Sequence, residues 1–215
     1  MHISLIGMSN VGKSLWSKRL EEIGFIRYCI DDLIEERLEK LLRTEGLNGI
    51  ADVARWMGYP YDPQYEQNSK TYLSIERSVM LKVLEEVSQP KMSEKDVVID
   101  TTGSVIYTGS DTLKKLDAVT LICYLETPLE VQEELYQQFL SEPKPLIWGD
   151  VFRKDDNESV GDALARSYQE LLENRTQEYH RLKNITIDFN TIRHPDYTIE
   201  AFLDRIKVPN EATLS

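Results

Sequence analysis

The chain has 215 residues, 41% of them hydrophobic, and carries a formal net charge of −12 with a pI near 4.8. This length and composition suit a single globular domain. Because proteins bind nucleic acid and anionic membranes through clustered Lys and Arg, the acidic balance argues against both kinds of partner, and no apolar run approaches the ~18 residues of a membrane span.

Five short apolar runs, each suited to a buried strand, alternate along the chain with amphipathic stretches of helical period. This alternation predicts an α/β fold with a five-stranded parallel sheet and helices on both faces. The two cysteines, Cys29 and Cys123, fall in these runs, so neither a disulfide framework nor a zinc site is indicated, and a cytoplasmic location is expected. The predicted strands are residues 2–6, 25–30, 97–99, 119–125 and 184–189.

Two insertions and a tail complete the predicted organisation. The segment between the second and third strands is helical in pattern and longer than one crossover needs, so we expect a helical substrate cap at about 44–90. A polar segment at about 142–160 is expected to form a lid, with Lys144, Arg153 and Lys154 as candidate phosphate-contacting cations. All of these segments belong to one domain, 1–208, which a flexible tail follows at 209–215.

A phosphate-binding motif lies between the first strand and the first predicted helix, a context that predicts a P-loop NTPase fold. Its glycines let successive backbone N–H groups face one anion, and the helix N-terminus adds a partial positive charge. The motif's Lys is catalytic and reaches the β- and γ-phosphates, while its hydroxyl residue ligates Mg²⁺, so ATP and Mg²⁺ are the expected cofactors. The motif is Gly7-Met8-Ser9-Asn10-Val11-Gly12-Lys13-Ser14, and the predicted nucleotide contacts are Gly7, Asn10, Val11, Gly12, Lys13, Ser14 and Leu15.

Acidic residues follow two of the predicted strands. In an open parallel sheet, ligands bind beyond the carboxyl ends of the strands, which makes Asp31, Asp32 and Asp100 candidates for function. A carboxylate there holds Mg²⁺ through water or accepts the proton of an attacking hydroxyl, and we assign such catalytic roles to Asp31 and Asp100. Helix capping is the alternative role for Asp31 and Asp32, and a turn is the alternative for Asp100.

The order of these features resembles shikimate kinase and its relatives among small-molecule P-loop kinases, and the likeness extends over nearly the whole chain. When the sequences are aligned on Ile34 and Glu35, the family's substrate-binding Asp falls on Asp31, which implies a substrate contact there. The family's Mg²⁺-associated Asp falls on Cys29. That departure moves the implied metal role to Asp100.

The resemblance also implies contacts from the cap, the lid and the C-terminal region. Of the family's three-glycine substrate loop only Gly103 is kept, and the family's substrate-contacting Arg after the lid aligns with Arg175. The cap Arg that holds the substrate carboxylate aligns with Leu73, which removes that contact. The implied nucleotide contacts outside the phosphate loop are Lys144, Arg193 and Pro195.

Together these features predict an ATP-dependent small-molecule kinase that transfers the γ-phosphoryl group to a hydroxyl of a metabolite. Because Leu73 would leave a substrate carboxylate unpaired, shikimate is not expected to be the acceptor. Two alternatives stay open, a nucleoside or nucleotide kinase and a regulatory protein that binds ATP without turnover. A GTPase is disfavoured, since the chain has no Asn-Lys-x-Asp motif for guanine. The sequence leaves the acceptor and the oligomeric state undetermined.

Overall fold

The computed structural model describes residues 1–44, 49–142 and 144–207. Within these residues the strands are β1 (His2–Ile6), β2 (Ile26–Cys29), β3 (Val97–Asp100), β4 (Leu121–Leu125) and β5 (Ile185–Ile187). These five strands of the described chain form one sheet in the order β2-β3-β1-β4-β5, and every neighbouring pair is parallel. The α/β fold with a five-stranded parallel sheet is therefore confirmed.

Helices connect consecutive strands and shorten three of the predicted ones. The fourth begins at Leu121 because the preceding helix continues to Val119. The second strand ends at Cys29 because Ile30 already begins a helix whose first turn carries Asp31 and Asp32. The fifth ends at Ile187 because the Asp188 side chain accepts a hydrogen bond from the backbone N–H of Thr191 (3.0 Å) and caps the next helix. The helices are α1 (Lys13–Glu22), α2 (Ile30–Thr44), α3 (Ile50–Met57), α4 (Tyr65–Val87), α5 (Ser110–Val119), α6 (Gln132–Ser141), α7 (Val160–Leu182), α8 (Phe189–Arg193) and α9 (Ile199–Lys207).

Alternate residues of the central strands pack into two separate hydrophobic cores. Ile3 and Leu5 of β1 lie in the core that contains α1 and α9, where Trp16 stacks on Phe202 with ring centroids 4.9 Å apart. Ile6 lies in the other core, with α2, α4 and α7. Full burial of each large side chain contributes about 1.5–3 kcal/mol. Burial on both faces explains why the central strands are mostly apolar at consecutive positions, as in Val97-Val98-Ile99, rather than at every second one.

Helix α4 falls within the predicted cap and also packs in the hydrophobic core that contains Ile6. Its second half buries Val79, Val83 and Leu84 in the same core as Ile6, and its first half leads toward α3. Part of the segment 44–90 therefore belongs to the layer that covers the sheet, and the assignment of its remainder as a substrate cap stays a prediction. Among the described residues, no helix is both long and apolar enough to cross a membrane.

The segment predicted as a lid is apolar in its middle. Ile147 and Trp148 are buried, and Tyr65 of α4 fixes the backbone around them by donating to the Leu146 carbonyl (3.1 Å) and accepting from the Trp148 N–H (2.8 Å). The following residues, 153–159, are mostly exposed. A lid function for the segment stays a prediction, and the predicted tail at 209–215 lies outside the described residues.

Candidate functional site

The phosphate-binding loop has the backbone geometry that its glycines predict. Gly7 and Gly12 have φ of +144° and +112°, where residues with a side chain are strained, and Asn10 has φ of +65°, which Asn tolerates better than most residues. A Cβ atom on Gly7 would lie 2.7 Å from the Leu125 carbonyl oxygen of β4. Glycine is thus required at this position, because the loop passes directly against a neighbouring strand.

Lys13 begins α1 at the end of this loop and is 6% exposed. Its Nζ donates to the carbonyls of Gly7 (2.9 Å) and Met8 (2.7 Å). Burial lowers its pKa, and the nearby carboxylates of Asp100 and Asp31 partly offset that effect. Phosphate oxygens would give this ammonium stronger, charge-assisted hydrogen bonds than the two carbonyls do.

The two predicted acidic positions lie beside each other because β2 and β3 are neighbours in the sheet. Cys29 pairs with Asp100 in the strand register, and Asp31 follows in the first turn of α2. Asp31 keeps solvent access in the cleft, yet the surrounding protein raises its pKa by desolvation, and Lys13 partly opposes the shift. Asp31 therefore combines solvent access with a raised pKa, the two properties that suit a carboxylate to accept a proton from a bound hydroxyl.

Asp100 has partners that the sequence analysis missed. It is 2% exposed, and its Oδ2 accepts from the Ser17 hydroxyl (3.0 Å) and from Nη2 of Arg27 (3.4 Å). Arg27 also donates from Nε to Ser17 (2.8 Å). The available signal was a charged residue inside an otherwise apolar strand. The Arg27 ion pair balances the charge of Asp100, so any contact between Asp100 and a metal would have to compete with it.

A second missed group is Glu76, which is 0% exposed on α4. Its carboxylate accepts hydrogen bonds from the hydroxyls of Thr102 and Ser104, the latter at 2.7 Å. Desolvation raises the pKa of Glu76 to about 7, and Asp31 adds to the shift, while these two hydrogen bonds and Arg175 oppose it. The sequence placed Glu76 in the cap but gave it no role.

Arg175 of α7, although far from Glu76 along the chain, lies in the same region. It is 2% exposed, donates from Nη2 to the Ile147 carbonyl (2.8 Å), and lies 5.6 Å from the ring centroid of Tyr107. A Cβ on Gly103 would come within 3.1 Å of Arg175 Nη1 and 3.3 Å of the Ser9 hydroxyl oxygen. The absence of a side chain at Gly103 therefore lets this loop approach both the guanidinium and the phosphate loop.

Several of these groups, among them Lys13, Asp31 and Arg175, line one cleft of about 480 Å³. It brings the phosphate loop together with the acidic start of α2, the segment after β3, and the cations of the lid and α7. The predicted site residues that line it are Asn10, Gly12, Lys13, Ser14, Leu15, Asp31, Gly103, Lys144 and Arg175, whereas Gly7, Val11, Asp100, Arg193 and Pro195 do not line it.

A second cavity of about 330 Å³ shares Gly12 and Leu15 with this cleft. Val11, Arg193 and Pro195 also lie in its wall, so five of the predicted nucleotide contacts border it, two of them from outside the phosphate loop and α1. Arg193 donates to the backbone carbonyl of Asn10 (3.0 Å). Lys144 donates to the side-chain oxygen of the same residue (2.6 Å). Asn10 thus joins the end of α8 and the lid segment to the phosphate loop.

No protein-family model matches the chain, and no curated protein matches its sequence. Solved structures do match it. A shikimate kinase from Bacteroides thetaiotaomicron is 16% identical, with a TM-score of 0.59 over 96% of each chain. A shikimate kinase from Acinetobacter baumannii in complex with shikimate is 19% identical, with a TM-score of 0.53 over 94% of this chain and 87% of that one. The chain has the fold of the shikimate kinases.

A more distant similarity is to a dephospho-CoA kinase from Campylobacter jejuni, 14% identical with a TM-score of 0.46 over 87% of each chain. The likeness to shikimate kinases confirms the P-loop kinase fold that the motifs predicted. At these identities it establishes the fold, so the chemistry has to be argued from the residues of the cleft.

The polar residues beside the phosphate loop would suit a Mg²⁺ ion that binds together with a nucleotide. Ser14 is exposed in the cleft together with Asp31 and Asp32. In the described part of the chain, no group of three or more His, Cys, Asp or Glu side chains is placed to hold a metal by itself. Phosphate oxygens would therefore supply the remaining ligands, which is the usual way that Mg²⁺ binds beside a phosphate loop.

Proposed function

We propose that this protein is an ATP- and Mg²⁺-dependent phosphotransferase that moves the γ-phosphoryl group to a hydroxyl of a small metabolite. The observation that carries the proposal is the single cleft in which Lys13 and Ser14 of the phosphate loop face Asp31 at the carboxyl end of β2. A cation for phosphate and a carboxylate of raised pKa for a hydroxyl proton are then available on the two sides of the transferring group.

In this proposal the nucleotide lies across the two cavities that share Gly12 and Leu15 in their walls. The triphosphate follows the loop to Lys13, whose Nζ exchanges the Gly7 and Met8 carbonyls for β- and γ-phosphate oxygens. The base occupies the second cavity, beside Arg193 and Pro195. The fixed position of Arg193 on the Asn10 carbonyl keeps that wall in place relative to the phosphate loop.

The chemical step follows from the positions of Asp31 and the cations. The acceptor hydroxyl attacks the γ-phosphorus, the bond from that phosphorus to the β–γ bridging oxygen breaks, and ADP leaves with the electron pair. Asp31 accepts the hydroxyl proton, and Lys13 and Lys144 stabilise the negative charge of the transferring group. Ser14 would hold Mg²⁺, whose positive charge would offset part of the negative charge of the phosphates.

A protein that binds ATP without turnover is the second candidate function, and the Arg27–Asp100 ion pair is the observation that favours it. The pair engages the carboxylate assigned to the metal, and at 12% and 2% exposure both side chains are shielded from water. The two candidates differ in one measurable property, which is release of ADP in the presence of an acceptor.

Release of ADP from Mg²⁺-ATP, followed with and without candidate hydroxyl metabolites that include nucleosides, tests the proposal. We expect an acceptor-dependent rate that falls at least about a hundredfold in Lys13→Ala, because one charge on the phosphates is lost. Lys18→Ala, an exposed position on the same helix, is the matched control and should leave the rate unchanged. Equal turnover by Lys13→Ala and wild type would refute the phosphate-loop assignment.

A further inference from the structure

Two hydroxyls that line the cleft are backed by a buried carboxylate. Thr102 and Ser104 both contribute to the wall of the cleft, and Glu76 lies behind them with no solvent exposure. Each hydroxyl reaches one oxygen of the Glu76 carboxylate: Thr102 reaches Oε1, and Ser104 reaches Oε2 at 2.7 Å. The Thr102 oxygen also accepts from the backbone N–H of Ser104 (3.0 Å). The arrangement is a built hydrogen-bond network and not a set of free surface groups.

The direction of these hydrogen bonds determines what the hydroxyls offer to a ligand. An ionised carboxylate is only an acceptor, so each hydroxyl that contacts it donates its single proton to Glu76. The two hydroxyl oxygens also lie 3.1 Å apart, and while both protons are on Glu76 neither oxygen can donate to the other. The oxygens of Thr102 and Ser104 are then left with lone pairs alone. One lone pair of the Thr102 hydroxyl oxygen already accepts the hydrogen bond from the Ser104 backbone N–H. Ser104 is therefore the stronger acceptor that this wall presents to the cleft.

The charges nearby act in the same direction. Asp31 lies within electrostatic range of Glu76, so two carboxylates act on this part of the cleft. Arg175 lines the same cleft: its Nη2 donates to the Ile147 carbonyl, and its Nε has no hydrogen-bond partner in the described part of the chain, so an anionic group of a ligand is better placed at Arg175 than at Ser104. Lys13 and Lys144 lie at the phosphate loop, where they are assigned to the nucleotide. A ligand carboxylate at Ser104 would meet hydroxyl lone pairs and like charge, both of which are unfavourable.

We propose that the acceptor subsite takes an alcohol that presents hydrogen-bond donors, either hydroxyl or ammonium groups, to Ser104 and Thr102 and that carries no carboxylate there. Neutral polyols and amino alcohols are the substrate classes with this chemistry, and an alcohol that would place its carboxylate at Ser104 is excluded. The inference rests on the proposed phosphotransferase function, since it assigns the acceptor of the same cleft. Glu76 is a positioning residue in this scheme, because it acts through the two hydroxyls.

Binding and turnover of matched probes separate this inference from the proposed function. The probes are quinate, its uncharged methyl ester, myo-inositol and glucosamine, each titrated calorimetrically in the presence of a non-hydrolysable ATP analogue and each assayed for ADP release. At pH 8.5, above the pKa of about 7, Glu76 is ionised. We expect the methyl ester, the polyol or the amino sugar to bind at least about tenfold more tightly than quinate.

Each outcome of the probe series decides a different point. Quinate binding as tightly as its methyl ester, or no binding by any uncharged or cationic probe at millimolar concentration, would overturn the acceptor class. Probes that bind in the expected order without any ADP release would instead overturn the kinase function and leave the subsite in place. Faster ADP release with quinate than with its ester would retain the kinase function and overturn the acceptor class.

Variants of the network test the polarity argument directly. In Glu76→Gln the amide NH₂ donates to one of the two hydroxyls, which frees that hydroxyl's proton to donate into the cleft. The ratio of the quinate Kd to the methyl ester Kd should then fall by about tenfold, while the Kd of the ATP analogue stays unchanged. Ser104→Ala should weaken the binding of the methyl ester, the polyol and the amino sugar and should leave the binding of quinate unchanged. Glu85→Gln, at an exposed position on the same helix, is the matched control. If wild type and the three variants all show the same ratio of quinate Kd to methyl ester Kd, the inference is refuted.

Discussion

Replacement of Glu76 by Gln should change the pH dependence of stability in a calculable way. The pKa of Glu76 is raised from its ordinary value of 4.5 to about 7 in the folded protein, mainly because the carboxyl is desolvated. Between these two values the folded state binds more protons than the unfolded state. The free energy of unfolding therefore falls as pH rises from about 4.5 to about 7, and this group causes no further change above that window.

The size of this effect follows from the pKa difference. One pKa unit corresponds to about 1.36 kcal/mol, so ionisation of Glu76 removes about 3 kcal/mol of unfolding free energy across the window. The Gln side chain cannot ionise, and it resembles the protonated acid in size and hydrogen bonding. We expect Glu76→Gln to match wild type near pH 4.5 and to exceed it by up to about 3 kcal/mol at pH 8.

Urea unfolding followed by tryptophan fluorescence at several pH values between 4.5 and 8.5 measures this difference. Trp16 and Trp148 are fully buried and report on the two hydrophobic cores. The difference between variant and wild type cancels the titration of the remaining groups, and Glu85→Gln controls for the loss of one surface charge. A difference that stays constant across the range, or that favours wild type increasingly at high pH, would refute the assignment of Glu76 as a buried, desolvated acid.

Three further predictions concern the phosphate loop and the two strand-end acids. Gly7→Ala should lower the unfolding free energy by about 1–3 kcal/mol and weaken ATP binding, since its Cβ would lie 2.7 Å from the Leu125 carbonyl oxygen; urea unfolding and ATP titration measure both effects. Asp100→Asn should raise the Mg²⁺ requirement more than the KM for acceptor, and Asp31→Asn should do the reverse; steady-state titrations that show the opposite pattern would exchange the two roles. Arg27→Met should cost about 3–5 kcal/mol of unfolding free energy because it leaves the buried Asp100 carboxylate without its cation, and denaturation that matches wild type would contradict that reasoning.

The sequence was sufficient for the fold and the phosphate loop because both depend on local information. A strand buried on two faces requires an uninterrupted apolar run, and the run ending at Ile99 could be identified without knowing its neighbours. The loop is likewise specified by residues close in the chain: Gly7, Gly12 and Lys13 supply the turn, the helix start and the charge. Boundaries were less certain, as at Ile30, because an apolar residue fits either the end of a strand or the start of a helix.

The groups that sequence reasoning missed acquire their roles from partners far away in the chain. Glu76 and Thr102 are 26 positions apart, and Arg27 and Asp100 are 73 apart. A Glu in a helical stretch is usually solvated, and an Arg in a short strand usually lies at an edge, so neither residue indicates burial by itself. Only the position of α4 against the segment after β3, and the pairing of β2 with β3, bring these charges to their partners.

The segment predicted as a lid, at about 142–160, combines polar residues with a buried apolar middle. The charged residues of 142–160 suggested a mobile segment, yet the segment also contains the apolar sequence Leu146-Ile147-Trp148. Exposing Trp148 alone would cost about 2–3 kcal/mol, and its release would also break the two hydrogen bonds of Tyr65 and the Arg175 bond to Ile147. Any opening that admits a nucleotide is therefore cheapest on either side of this buried anchor, at Lys144 and in residues 149–159. Lys144, the lid cation that contacts Asn10, can then move while the wall that carries Arg175 stays fixed.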